Sequence, residues 1–260
     1  MELGRNCLYF LHFLDLNFKK EKCSALDYGC GNGDFIKYAN KNGYNFRGVD
    51  NYYDATNIEA FHNSSMKGCI DIIDVSGMLP FKDKTIDYIT SIQVFEHVEN
   101  LETVLNEMNR VLKENGKILC SFPFKYSILE GHYGIPFSHW FKPTSSIRKL
   151  WVLQFYRLGF GDGRKENLSF DEWYNQAFSF IDNFCHYRTK NEFFNCCRKA
   201  SFTVHNRDKE GLQFRLQKKK GHYLKIMHVI IKLLPSWMVS FLLQARGSAV
   251  IEIIKTTHNK

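Results

Sequence analysis

The sequence predicts an α/β fold in which helices cover both faces of a mostly parallel, doubly wound sheet. Two observations carry this prediction. Segments with strand and helix periodicity alternate up to residue 124, and acidic or amide side chains stand where the predicted strands end. Alternating β and α units form parallel sheets through right-handed crossovers. Ligands of such sheets bind beyond the carboxyl ends of the strands, so these polar side chains mark a candidate binding edge.

Apolar runs predict five strands in the first half of the chain, at 23–28, 45–50, 70–74, 85–92 and 117–122. Helical patterns lie between them, near 34–42, 54–62 and 99–113. Further on, Thr189 with Glu192 three residues later predicts a capped helix. A sixth strand follows this helix and ends near His205, and a seventh is predicted over 247–255.

The stretch Ala-Leu-Asp-Tyr-Gly-Cys-Gly-Asn-Gly, residues 25–33, runs from the first strand into a glycine-rich turn. Gly29, Gly31 and Gly33 allow strongly curved backbone and leave no Cβ between the turn and a ligand. Asp27 beside the turn would repel a pyrophosphate but attract a cationic amino or sulfonium group. The turn therefore predicts a nucleoside-bearing cationic cofactor rather than a dinucleotide.

This turn and the downstream Gly48-Val49-Asp50 resemble class I S-adenosylmethionine-dependent methyltransferases with a methyltransferase-11-like core. Other matching pieces follow in order over residues 24–124: Asp71-Ile-Ile-Asp74, Leu79-Pro80-Phe81, Ile86 to Val98, and Leu112 to Pro123. The resemblance implies a Rossmann-like, seven-stranded sheet with an antiparallel last strand. It also implies S-adenosylmethionine as cofactor and methyl transfer as the activity.

The same resemblance assigns the cofactor contacts. Asp50 would accept hydrogen bonds from both ribose hydroxyls; the alternative is a strand-end acid that caps the next helix. Asp74 and Val75 would hold the adenine, although Leu79 follows one residue later than the family spacing. Cys30 is interpreted as a small filler rather than a nucleophile. The full set of expected contacts is Asp27, Tyr28, Gly29, Cys30, Gly31, Asp50, Asn51, Asp74, Val75, Ile92 and Gln93.

Three histidines are candidate general bases, in the order His139, His97, His132. His97 is expected to open the helix after the fourth strand, and its alternative role is an imidazole that orients this turn. His132 and His139 flank the aromatic segment 133–137 beyond the fifth strand, where an acceptor must approach the methyl group. A base is needed only if a hydroxyl must lose its proton; otherwise positioning alone would carry the catalysis.

The chain is predicted to form one methyltransferase domain over 1–260. Its core is expected at about 22–124, 188–206 and 246–256, with acceptor-binding insertions at about 125–187 and 207–245 that form a helical and aromatic cap. The first twenty residues make a poor signal peptide. They are expected to form a helix at one end of the sheet or over the cofactor cleft.

Residues 218–243 begin with Lys218-Lys219-Lys220 and continue as an apolar run that Pro235 interrupts. One interpretation is a helix on a membrane surface, with Trp237 at the interface and lysines on the polar face. The other is a helical hairpin that packs on the core as a wall of the acceptor pocket. No apolar stretch reaches the ~20 residues that span a bilayer. We expect a cytoplasmic protein, with peripheral membrane attachment as the alternative.

The amino-acid composition limits the classes of partner that we expect. The net charge of +8 comes from lysines and arginines spread over the chain, which is typical of a solvated surface, so nucleic acid is not the expected partner. The eight cysteines contain no Cys-x-x-Cys pair, which predicts reduced thiols and no metal. The expected acceptor is a small molecule, a saccharide or a lipid-linked compound, methylated at oxygen. An RNA or protein methyltransferase and a non-catalytic module that only binds the cofactor are the alternatives.

Overall fold

The computed structural model describes residues 5–51, 68–74, 76–161, 168–217, 222–244 and 248–256, with the backbone alone at residues 5, 6, 222–226 and 244. Seven strands form one sheet in the order β3-β2-β1-β4-β5-β7-β6. The strands are β1 Ala25–Tyr28, β2 Phe46–Asp50, β3 Ile70–Ile72, β4 Ile86–Ile92, β5 Leu112–Phe122, β6 Phe202–Asn206 and β7 Ala249–Lys255. The first five pair in parallel, whereas β7 runs antiparallel to both β5 and β6. The predicted sheet is confirmed.

Nine α-helices surround the sheet in the part of the chain that the structure describes. They are α1 Arg5–Asn17, α2 Asp34–Lys41, α3 Leu101–Val111, α4 Ser146–Arg157, α5 Phe170–Phe184, α6 Lys190–Lys199, α7 Asp208–Gln217, α8 His222–Leu233 and α9 Ser236–Gln244. The predicted helix over 54–62 lies outside the described residues. Helices α2 and α3 lie at the predicted positions 34–42 and 99–113. Helices α4 and α5 belong to the insertion, for which the sequence predicted no individual helices.

Helices α3 and α6 cover one face of the sheet and α1, α2 and α7 cover the other. On the first face, Met108 and Phe193 pack with the strand residue Ile118 in one buried cluster. On the second face, Phe10 and Ile36 belong to a cluster that includes strand residues such as Tyr88 and Leu119. Burial of apolar surface on both faces is the main stabilising contribution to such a layered fold.

The first helix is confirmed. Of its two predicted places, the one at the end of the sheet is wrong. Helix α1 lies on a face of the sheet, where Phe13 packs on Tyr88 and the Tyr88 hydroxyl donates to the Phe10 carbonyl at 3.1 Å. Its first turn reaches toward the end of β1. Burial raises the pKa of Cys7, and the nearby Asp27 carboxylate raises it further. An amphipathic helix covers a sheet face because that is where the larger apolar area lies.

The insertion 125–187 builds a small core of its own from α4 and α5. Trp173, Phe178 and Val152 are buried there. Arg148, only 3% exposed, donates to both carboxylate oxygens of Asp182 at 2.7 and 2.6 Å and stacks on the Phe178 ring at 4.8 Å. A bidentate, fully paired arginine satisfies the charge that burial would otherwise penalise. Helices α4 and α5 therefore form a packed cap.

Candidate active site

The glycine-rich turn connects β1 to α2 at the carboxyl edge of the sheet. The N–H groups of Gly29 and Cys30 both donate to the Val49 carbonyl, at 2.8 and 3.2 Å, which ties the turn to β2. At Gly29, with φ of +75°, a Cβ would lie 2.3 Å from a methyl group of Val94. At Gly31, with φ of +51°, no atom of the described chain lies within 4 Å of an added Cβ. The turn is tightly packed behind Gly29 and open in front of Gly31.

Asp50 ends β2 beside this turn. Its Oδ2 atom accepts a hydrogen bond from the Gly31 N–H at 2.8 Å, so the strand-end acid and the glycine turn meet. The helix that Asp50 would cap in the alternative interpretation falls within residues that the structure does not describe. Asn51 follows it and is exposed. A carboxylate fixed by a backbone donor is well placed to accept from a diol.

Asp27 is a buried acid at the end of β1. It is 5% exposed and accepts a hydrogen bond from the Thr90 hydroxyl at 2.6 Å. Burial raises its pKa to about 7; the Thr90 hydrogen bond opposes this shift and the charge of Asp50 adds to it. A buried carboxylate without a counter-charge is costly, and a ligand cation would offset that cost.

Gln93 joins the ends of three strands. It adopts a left-handed conformation with φ of +58°, directly after Ile92 ends β4. Its backbone N–H and its Nε2 both donate to the Ser121 carbonyl, at 2.7 and 3.1 Å, and Nε2 also donates to the Ser248 hydroxyl at 3.0 Å. The side chain is thus a structural brace, which leaves the backbone of 92–93 as the group that could meet a ligand.

The other predicted cofactor residues are placed as follows. Asp74 is exposed, accepts from the backbone N–H and hydroxyl of Ser76, and lies two residues beyond β3 rather than at its end. Val75 lies outside the described residues. The Tyr28 ring packs on Phe95 at 6.3 Å between centroids. Burial raises the pKa of the Cys30 thiol, which disfavours the thiolate that a nucleophile requires.

His97 does not open a helix, and that prediction is wrong. Helix α3 begins only at Leu101, because the Asn100 side chain accepts from the Thr103 N–H at 3.2 Å and caps it there. His97 lies in the preceding turn. Its Nδ1 lies 2.7 Å from the Phe184 carbonyl oxygen and its Nε2 lies 3.3 Å from Nε2 of His132. A carbonyl only accepts hydrogen bonds, so Nδ1 of His97 carries the proton.

His132 is held by the buried Glu130. Its Nδ1 lies 2.8 Å from Glu130 Oε1, and the Tyr187 hydroxyl donates to the same oxygen at 2.6 Å. Burial lowers the pKa of His132, but the hydrogen bond and charge of Glu130 outweigh it and the net shift is upward. Burial also disfavours ionised Glu130, yet its hydrogen bonds with His132 and Tyr187 leave its pKa below the usual value.

His139 joins the same group of side chains from the other side. Its Nε2 lies 3.2 Å from the Ser127 hydroxyl oxygen, and its ring lies 4.9 Å from the Tyr187 ring. Burial lowers its pKa, which favours a neutral imidazole at neutral pH. The structure therefore brings all three predicted histidines together around Glu130 and Tyr187.

Sequence reasoning missed the side chains that assemble this cluster. Glu130 and Tyr187 are 57 positions apart. Arg188 donates to the carbonyls of Phe95, Val98 and Glu99 at 3.2, 2.6 and 2.6 Å, and so ties the turn that carries His97 to the end of the insertion. None of these contacts has a spacing signal, because they join segments that only the cap folding brings together.

Comparison with known proteins identifies the core. Residues 26–120 match the family model described as a methyltransferase domain. An uncharacterized protein of Methanocaldococcus jannaschii is 33% identical over 126 residues, 48% of this chain and 52% of that protein. Demethylmenaquinone methyltransferase of Bacillus subtilis is 34% identical over 110 residues, 39% of this chain and 46% of the relative. The chain spans about half the length of the curated relatives it matches.

Two solved structures share the fold. A methyltransferase from Mesorhizobium loti that depends on S-adenosylmethionine aligns with a TM-score of 0.54 at 13% identity, covering 97% of this chain and 100% of its own. Phosphoethanolamine N-methyltransferase 2 from Haemonchus contortus, solved with S-adenosylhomocysteine, aligns with a TM-score of 0.51 at 15% identity, covering 96% and 53%.

The fold is the one that solved methyltransferases of this type share. Residues 26–120 match the methyltransferase-domain family model. S-adenosylmethionine is the cofactor of this family, and the residues present fit it. The space in front of Gly31, the adjacent Asp50 carboxylate and the buried Asp27 suit a ligand that presents a diol and a positive charge.

Proposed function

We propose that this protein transfers the methyl group of S-adenosylmethionine to a hydroxyl oxygen of a small-molecule, saccharide or lipid-linked acceptor. The observation that carries the proposal is the contact of Asp50 with the Gly31 N–H at 2.8 Å, next to buried Asp27. When bound, the cofactor supplies an electrophilic methyl on a cationic sulfur. Asp50 would hold the ribose hydroxyls, Asp27 would compensate the positive charge, and the turn would position the cofactor for in-line attack.

The cap supplies the wall that an acceptor would meet. Tyr126 and Trp140 are exposed large aromatics, 62% and 46%, with ring centroids 5.7 Å apart. The Trp140 indole N–H donates to the Ser127 carbonyl, and the Ser127 hydroxyl lies 3.2 Å from His139 Nε2. An aromatic pair beside an imidazole suits an acceptor with a ring or apolar part next to its reactive hydroxyl.

His139 is the proposed base, since His97 and His132 face each other through their Nε2 atoms. His139→Ala should lower turnover by ~10²–10⁴-fold with little change in cofactor affinity, because a general base acts on the chemical step. Steady-state kinetics and calorimetry measure the two effects, with His205→Ala on exposed β6 as control. Near-normal turnover of His139→Ala would instead assign catalysis to positioning alone.

We also propose that α8 and α9 attach the protein to a membrane surface. Seven large apolar side chains on these helices are exposed by 40% or more: Met227, Val229, Ile230, Leu233, Trp237, Phe241 and Leu242. Inward-facing Ile231 and Val239 fix the helices on the core, so the exposed side chains are the outer surface. Such an outward apolar surface supports an interfacial helix pair rather than a pocket wall. Within the described residues no helix combines the length and apolarity needed to cross a bilayer.

One experiment tests the activity. Purified protein is incubated with cofactor labelled in the methyl group and with separate cell-extract fractions of small molecules, lipids, RNA and protein. Label in the small-molecule or lipid fraction, absent with Asp50→Ala, is the expected result. Label in RNA or protein would replace the proposed acceptor class. Cofactor binding without transfer to any fraction would favour a module that binds S-adenosylmethionine without catalysis.

A further inference from the structure

The turn after β4, the insertion and the end of α5 converge on one half-buried group of donors. His97, His132 and Cys185 can each offer one ligand atom, and these atoms lie within 4.8 Å of one another. Cys185 Sγ lies 3.9 Å from Nδ1 of each imidazole, and the two Nε2 atoms lie 3.3 Å apart. The three residues come from distant segments, so the absence of a Cys-x-x-Cys pair does not bear on them.

The outer hydrogen bonds orient both rings as metal ligands are oriented. Nδ1 of His97 faces the Phe184 carbonyl and Nδ1 of His132 faces the Glu130 carboxylate, at 2.7 and 2.8 Å. Histidines that bind metals usually donate their second ring N–H to a carbonyl or carboxylate in this way. When both rings are neutral, the two Nε2 atoms, 3.3 Å apart, face each other with lone pairs. Either a proton or a metal cation between them would satisfy both atoms.

Two buried acids lie near these rings. Glu130 is 1% exposed and accepts hydrogen bonds from His132 and Tyr187, whereas Glu96 is 2% exposed. Neither side-chain oxygen of Glu96 has a hydrogen-bond partner among the described residues. Burial raises its pKa to about 7, and positive charge on His132 opposes this shift. A buried, unpartnered carboxylate is costly unless a cation compensates it. A single proton shared by the imidazoles would satisfy the two Nε2 atoms but would leave Glu96 and Cys185 without a role.

We propose that His97, His132 and Cys185 bind a zinc ion with one open coordination position. Imidazole nitrogen and thiolate sulfur are the donors that zinc prefers, and three protein ligands with an open fourth position are typical of a non-structural site. Two nitrogens on one tetrahedral zinc lie about 3.3 Å apart, as the Nε2 atoms do. A nitrogen–sulfur edge is about 3.6 Å on a tetrahedral zinc; the candidate ligand atoms lie within 4.8 Å of one another here, so zinc would draw Cys185 Sγ closer to the nitrogens. Binding releases the Cys185 thiol proton.

A zinc ion at this position would link the insertion to the core. His97 belongs to the core and His132 and Cys185 belong to the insertion, so the ion would tie the insertion to the turn that follows β4. It would also occupy His97 and His132 and leave His139 available as the base. The metal does not depend on the proposed activity, because its binding is measured without any acceptor.

The test measures metal in the full chain, expressed without a histidine tag. Near-stoichiometric zinc by elemental analysis is expected, and cobalt substitution should give tetrahedral d–d bands with a sulfur-to-cobalt charge-transfer band. Cys185→Ser should lose the charge-transfer band and His97→Ala most of the metal. The matched controls Cys69→Ser and His205→Ala, outside the cluster, should retain both. Removal of zinc with dipicolinate should lower the melting temperature, and added zinc should restore it.

A second measurement on the wild type guards against variants that do not fold. Bound zinc should protect Cys185, but not Cys196, from alkylation mapped by mass spectrometry. Folded wild-type protein without stoichiometric zinc or cobalt would overturn the proposal. So would metal that survives unchanged, in amount and spectrum, in folded Cys185→Ser protein. A proton shared by the two imidazoles would then be the occupant.

Discussion

Asp50 is the residue on which the cofactor assignment depends most directly. Asp50→Ala removes the acceptor beside Gly31 and should weaken S-adenosylmethionine binding by about tenfold to a few hundredfold, since hydrogen bonds to charged groups contribute about 1.5–3 kcal/mol. Calorimetry on the purified variant measures this. Asp171→Ala, an exposed acid on α5, is the control. Unchanged affinity in folded Asp50→Ala protein would contradict the assignment.

Asp27 should make both the stability of the protein without cofactor and its cofactor affinity depend on pH. Because burial raises its folded-state pKa to about 7, its contribution to apo stability is fully present below its ordinary pKa and is lost as pH rises through about 7. A cationic ligand requires the ionised carboxylate, so cofactor affinity should instead rise with pH up to about 7. Scanning calorimetry and binding titrations across this range measure both trends.

The variant Asp27→Asn separates Asp27 from other titrating groups. It should flatten both trends while the protein stays folded, because the amide keeps an acceptor for the Thr90 hydroxyl. If cofactor affinity kept the same pH dependence in Asp27→Asn protein, the buried acid would not be the group that senses the cofactor charge.

The sequence alone predicted which residues meet at the carboxyl edge of the sheet. Asp27, Gly31 and Asp50 were predictable because the carboxyl ends of parallel strands converge by construction. Glu130, Cys185 and Tyr187 were not, because their proximity depends on how the insertion folds back on the core. The role of Gln93 as a brace also needed the structure, since it follows from the left-handed backbone and from partners on β5 and just before β7.

At the element scale, two capping boxes start helices with different positions in the molecule. Thr189 and Glu192 begin α6, whose Phe193 and Cys197 are fully buried in the main core, whereas Ser169 and Glu172 begin α5 in the insertion. Thr189→Ala should lower the free energy of unfolding of the whole protein by about 1 kcal/mol, because it removes a cap from a core helix.

Ser169→Ala is the matched variant for this prediction. It should mainly speed hydrogen exchange in α5 and change the global unfolding free energy less, because α5 packs in the separate cluster of the insertion. Urea unfolding and hydrogen exchange followed by mass spectrometry measure the two effects. Equal global losses in the two variants would mean that core and insertion unfold as one unit.

The sequence predicted the positions of most strands but not those of the helices in the insertion. Strand bounds agreed to within a few residues, because buried runs with glycine turns are unambiguous. There are two exceptions. Strand β5 begins earlier than predicted, at Leu112 directly after α3, and β3 ends earlier, at Ile72 before Asp74. Helices α4 and α5 were not predicted, although the Ser169 and Glu172 capping pattern that starts α5 is present in the sequence. Their aromatic residues bury against one another rather than against the sheet.

In the proposed membrane attachment, the net charge of +8 and the exposed apolar surface of α8 and α9 would act together. Apolar side chains enter the interface while basic residues, including Lys218-Lys219-Lys220, attract anionic lipid. The acceptor would then reach the cap from the lipid phase or its surface, which agrees with the proposed lipid-linked class.

Co-sedimentation with vesicles tests this arrangement. Wild-type protein should bind anionic vesicles at low salt and bind less as salt rises, since each basic residue contributes about 1 kcal/mol that salt screens. The variant Lys218/Lys219/Lys220→Gln should lose the salt-dependent part, and Leu233→Ser the salt-independent part. Leu158→Ser, an equally exposed leucine beside α4, should change neither. If wild-type protein bound no vesicles at low salt, the exposed surface of α8 and α9 would have to face another partner.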